Sequence, residues 1–77
     1  KGSFVFGFQT KECILRNNSS EKKLIAVYIP TNNLYLGEVV LFDEECVIHT
    51  EIPVQEGIKI ILSGGIAAPQ TIIVENR

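Results

Sequence analysis

Leu24-Ile25-Ala26-Val27-Tyr28-Ile29, closed by Pro30, is the stretch whose reading decides the fold. Six consecutive apolar residues, four of them β-branched or aromatic, do not alternate, so the segment reads as a strand covered on both faces. Pro30 lacks a backbone donor and ends it. A strand of this kind needs neighbours on both sides, and the flanking sequence supplies candidates. Upstream, Ser3-Phe4-Val5-Phe6-Gly7-Phe8-Gln9 places rings at every second position, the period of a strand with one buried face, so Phe4, Phe6 and Phe8 are expected to anchor the core. Glu12 to Arg16 follows, and then Asn17-Asn18-Ser19-Ser20-Glu21, whose short polar side chains compete for backbone hydrogen bonds and favour a hairpin loop.

Downstream, Thr31-Asn32-Asn33 is a turn signal, whereas Leu34-Tyr35-Leu36 is too apolar for an ordinary solvated connection. These three residues are the candidate interaction segment. Gly37 is expected to hold an unusual backbone conformation. Glu38 to Phe42 and Cys46 to Ile52 read as two strands around the acidic turn Asp43-Glu44-Glu45. Pro53 suits a first helical turn, and Val54, Ile58, Ile61 and Leu62 recur at helical spacing up to Gly64-Gly65, which predicts one helix over Val54 to Ser63 with Ile60 on its outer side. Gly57 within it implies close approach to a strand or a weak helix. Gln70 to Val74 could add an edge strand or a docking tail. The fold class expected is therefore α+β: a small, mostly antiparallel sheet, or a partly open barrel, with one amphipathic helix.

The chain has 77 residues, room for a single domain over residues 1–77 with one modest core. Hydrophobic residues make up 45% and charged residues 21%, a balance that folds rather than stays disordered. So short a chain keeps little stability of its own, which makes a partner surface or self-association an expectation. Seven basic and nine acidic residues give a net charge of −2 with no basic stripe, so nucleic acid is not an expected partner. The chain opens at Lys1, shows no signal pattern and contains no apolar run of spanning length, which predicts a soluble piece cut from a longer protein.

Motifs that would carry chemistry are sparse. Cys13 and Cys46 read as free, partly buried thiols rather than a disulfide framework. Cys46 and His49 lie three apart on a predicted strand, so they point to opposite faces and do not make a metal site. His49 has no carboxylate and nucleophile beside it, and Thr50 falls on the opposite face. The acidic turn lacks the spacing and glycine of a calcium loop. Asn17 and Asn18 each begin an Asn-x-Ser pattern, which has meaning only in a glycosylating pathway. Gly64-Gly65 follows the helix instead of opening it and cannot cradle a phosphate. No catalytic, cofactor or metal residue is assigned, and no small-molecule ligand is identifiable. The surplus of the sequence is apolar: Leu34, Tyr35 and Leu36, with Ile60 and Ile66, are more than a solvated surface needs.

Taken in order, Val27-Tyr28-Ile29-Pro30-Thr31, Gly37, a hydrophobic strand, an acidic turn, Val47-Ile48, Pro53-Val54-Gln55-Glu56-Gly57 and Ile61-Leu62-Ser63-Gly64-Gly65 resemble domain-of-unknown-function family 502. That family includes the plant CONTINUOUS VASCULAR RING and LIKE-COV membrane proteins and bacterial relatives. Lys1-Gly2-Ser3 to Gly7-Phe8 is similar to the family's entry into its strand, so the resemblance covers most of the chain. The apolar loop at 32–36, Pro53 at the usual serine cap and Cys46 at a usual acidic position mark a divergent member, expected to be bacterial. The resemblance implies a membrane-anchored parent protein with no established enzymatic activity; the parent is expected in the cell membrane, with this domain in the aqueous phase on the cytoplasmic side. A non-catalytic interaction or assembly module, working as a homo-oligomer or with a protein partner, is the expected function. The soluble portion of a transporter or channel-like assembly is the alternative, and an enzyme is the third class.

Overall fold

The computed structural model describes residues 2–31 and 36–75. Its frame is an open antiparallel sheet of β1 (Phe8–Arg16), β2 (Glu21–Pro30) and β3 (Gly37–Asp43) in the order β1-β2-β3. One helix, α1 (Val54–Leu62), completes a small α+β fold, and among the described residues the sheet does not close into a barrel. The apolar stretch at 24–29 is the middle strand, as its composition predicts. Leu24, Ile25, Ala26 and Val27 are all buried, so both faces of β2 are covered along four consecutive positions. With Ile60 they form the core.

The turn joining β1 to β2 follows from Asn17. Its Oδ1 accepts the backbone N–H groups of Ser19 and Ser20, each at 2.9 Å, while Asn17 N donates to the Ser20 carbonyl at 3.0 Å. This closed turn pairs Arg16 with Glu21 and thereby sets the register all the way to Phe8 opposite Tyr28, with one irregularity between Gln9 and Lys11. The same register corrects the expected first strand. Once Phe8 faces Tyr28, β2 offers only Ile29 and Pro30 beyond it, so Ser3 to Phe6 find no ladder to join. Alternating rings are not enough without a partner strand. Phe4 is 81% exposed and Phe6 40%, and of the three expected anchors Phe8 is the most buried.

A second correction concerns Cys46 to Ile52. Glu44–Cys46 is a 3-10 turn, and the chain then runs irregularly except for one bridge between Thr50 and Val74. The acidic turn is pulled back toward β2: Lys22 Nζ lies 2.9 Å from Asp43 Oδ1, and Lys23 Nζ lies 3.2 Å from Glu44 Oε2. The chain leaves β3 toward the middle of the sheet instead of hairpinning into a fourth strand, and these exposed pairs accompany that path. The segment 70–74 pairs only locally, where Glu51 N donates to Ile73 O and Glu75 N to His49 O.

The helix starts after Pro53 and stops at Gly64 and Gly65, whose φ angles of +69° and +100° suit glycine alone. Gly65 N donates to Ile60 O at 2.8 Å and Gly64 N to Ile61 O at 3.1 Å, closing the last turn. Its buried line is not the expected one. Gly57 and Ile60 are buried, Ile58 and Ile61 half-buried, and the expected stripe members Val54 and Leu62 are 65% and 55% exposed. The reason is Gly57: a Cβ there would lie 3.2 Å from Phe8 Cε1, so the helix is pressed against the ring along its glycine, and Ile60, one turn on, follows it inward at 2% exposure.

Candidate interaction surface

Residues directly opposite in antiparallel strands share a face. One face of the sheet carries Ile25, Val27, Val40 and Phe42, all buried or half-buried. The other carries Ala26 opposite Leu41 and Tyr28 opposite Val39. There the middle strand is covered, but Val39 is 63% and Leu41 53% exposed. Two branched apolar side chains thus stand side by side on the outermost strand. The run from Glu38 to Phe42 reads as a strand in the sequence, but its four consecutive apolar residues do not tell which face would lack cover.

Leu34 and Tyr35 lie outside the described residues. Leu36 is 65% exposed, and its carbonyl accepts the Thr31 N–H at 2.6 Å, which draws the ends of this connection together immediately before β3. Gly37 has no left-handed backbone, contrary to the expectation. It is required by crowding: a Cβ would meet Ile29 O at 2.5 Å and Pro30 Cα at 2.8 Å. Leu36 is therefore delivered to the end of the same outer strand that displays Val39 and Leu41. Ile66 is 90% exposed, as its sequence context implies, whereas Ile60 belongs to the core.

The polar groups make local ties. Lys22 is raised above the usual lysine range by its hydrogen bond to Asp43 and then by that carboxylate's charge; Lys23 is raised by hydrogen bonds to Glu44 and Glu12. His49 Nε2 is hydrogen-bonded to Gln9 Oε1 at 2.5 Å. Cys13 is a half-buried free thiol and Cys46 an exposed one. Among the described residues no three metal-ligating side chains gather, and no helix is long and apolar enough to cross a membrane. Two shallow apolar grooves flank Ile60, one of about 320 Å³ beside Pro53, Pro69 and Ile73, the other of about 360 Å³ beside Phe6, Ile29 and Gly64.

Fold and surface together define a small open-sheet α+β domain that displays apolar side chains along one outer strand. The chain is 44% identical over 69 residues to Protein LIKE COV 1 of Arabidopsis thaliana, which covers 90% of this chain and 27% of the relative. It is also 44% identical over 69 residues to Protein CONTINUOUS VASCULAR RING 1 of the same plant, covering 90% and 26%, and 43% identical over 68 residues to Protein LIKE COV 3, covering 88% and 25%. These proteins are its homologues, and the chain spans about a quarter of the length of the curated relatives it matches. No family model and no solved structure matches it.

Proposed function

We propose that this chain is the aqueous domain of a membrane-anchored member of domain-of-unknown-function family 502, and that it works without catalysis as an interaction and assembly module. The observation that carries the reading is its surface. Much of this surface is apolar, with Phe4, Val5, Leu36, Val39, Leu41 and Ile66 among the exposed side chains. Surface of that kind is removed from water by a partner. The homology over nine-tenths of the chain ties the domain to the CONTINUOUS VASCULAR RING and LIKE COV proteins, and membrane anchorage belongs to the proposal with it.

The test uses the full-length protein. It is expected to sediment with membranes and to resist alkaline extraction, and in detergent to form an assembly that shrinks when this segment is deleted. An assembly of unchanged size after the deletion would remove the proposed role. Leu36→Ser, at an exposed site, is expected to weaken the assembly while leaving circular dichroism unchanged.

A further inference from the structure

We infer that β3 is the assembly edge, and that it pairs with β3 of a second copy of this chain, antiparallel about a two-fold axis at Val40, to make one continuous six-stranded sheet. This deepens the assembly reading and rests on it. Edge strands present unpaired backbone donors and acceptors, and soluble proteins blunt them with charge, proline or bulges. β3 lies at the end of the strand order, and no described backbone group outside the sheet bonds to residues 38–43. Its centre, Val39-Val40-Leu41-Phe42, has no charge, no proline and no glycine, and its pairing with β2 runs without irregularity over all seven residues. Nothing in this strand discourages another strand from adding to it.

The sequence of β3 matches itself. A two-fold axis normal to the sheet keeps the same face up in both copies, and placed at Val40 it uses the whole strand. Val39 then stands opposite the partner copy's Leu41, Leu41 opposite its Val39, Glu38 opposite its Phe42 and Gly37 opposite its Asp43. No like charges meet. Val39 and Leu41, 63% and 53% exposed in the single chain, become two neighbouring cross-strand apolar pairs on one face. The axis also brings together strands that already carry Ala26 and Tyr28 on that face, so the apolar surface continues across the junction. Association through one self-complementary patch closes as a dimer.

The experiment combines association with crosslinking, in the full-length protein and in the 77-residue chain, with a Val39→Lys, Leu41→Lys variant of each. The unchanged chain is expected to sediment as a dimer, and the variant as a monomer with the same circular dichroism. In a Cys13→Ser, Cys46→Ser background, Val40→Cys is expected to give a covalent dimer on mild oxidation, because paired residues across strands stand within disulfide reach. Thr10→Cys on β1 should not crosslink. Should the lysine variant misfold, the Val40→Cys result decides. An unchanged chain that is monomeric at high concentration overturns the inference. A dimer that survives both lysines and leaves the Val40→Cys variant uncrosslinked also overturns it, but leaves assembly through another surface standing. A chain that remains monomeric alone while the full-length assembly still depends on this segment rejects a second copy as the occupant of β3 and leaves the assembly reading intact.

Discussion

β1 and β3 flank the same buried strand, and their outer edges are treated very differently. β1 is nine residues long, its register breaks between Gln9 and Lys11, and it carries Lys11, Glu12 and Arg16. Thr10, the extra residue at that break, turns its hydroxyl inward to the Ala26 carbonyl at 3.2 Å. An irregularity and three charges make β1 a poor template for another chain. β3 is shorter and regular, and its charges, Glu38 and Asp43, lie near its ends, with Asp43 engaged by Lys22. A sheet blunted on one edge and, on the other, bonded to no described group teaches where to look for a partner, even when no site chemistry is visible.

The largest effect separates the shared middle strand from the bare edge. Ile25→Ala removes a side chain that is 1% exposed and should cost about 2–5 kcal/mol in urea unfolding. Leu41→Ala, measured at a concentration where the chain is dissociated, should stay within about 0.5 kcal/mol. Equal losses would mean that β3 is packed in the single chain and is not a free edge.

A somewhat smaller effect tests how β3 is brought alongside β2. Gly37→Ala places a methyl against the Ile29 carbonyl and Pro30 Cα, both backbone atoms with little room to move, and should destabilise by about 1–3 kcal/mol. Gly57→Ala meets only the edge of the Phe8 ring, at 3.2 Å, and gains about 1 kcal/mol of helix propensity, so its net change should be much smaller. If Gly57→Ala were the more damaging of the two, the entry to β3 would not be the tight point of the fold.

The smallest effect concerns the charges that turn the chain away from β3. Lys22 and Lys23 both have raised folded values, so their contribution is complete below the unfolded lysine value of about 10.4 and is lost as pH rises through the folded ones. Both pairs are solvent-exposed, so the loss is expected to be marginal and to shrink with salt. Thermal melts should be insensitive to these lysines from neutral pH to about pH 10 and fall slightly above it. A steep loss near neutral pH would point to a different group.

Local chemistry made much of this fold legible. The unalternating run at 24–29 announced a middle strand, Asn17 to Glu21 announced the hairpin turn, and Gly64-Gly65 announced the end of the helix; the structure contains each. The failures share a cause. The rings at 4 and 6 continue the period of Phe8 but, among the described residues, have no strand opposite them, and Cys46 to Ile52 looks like a hairpin arm although the acidic turn lies toward β2, beside Lys22 and Lys23. The helix stripe was misplaced because glycine carries no apolar signal, although Gly57 is where α1 meets Phe8. For the interaction surface, the apolar loop before Gly37 was visible in sequence, but Val39 and Leu41 were not distinguished from Val40 and Phe42.

What the sequence determined by itself is therefore what depends on near neighbours along the chain: which segment is buried on both faces, where the chain turns through a side-chain bond to its own backbone, and where a helix must stop at positive φ. Only the tertiary structure decided which segments pair beside that strand, which face of β3 is covered, and which sheet edge bonds to no described group. Those outcomes depend on contacts between residues far apart in sequence, and a pattern of residue types records the period of such contacts without recording the partner.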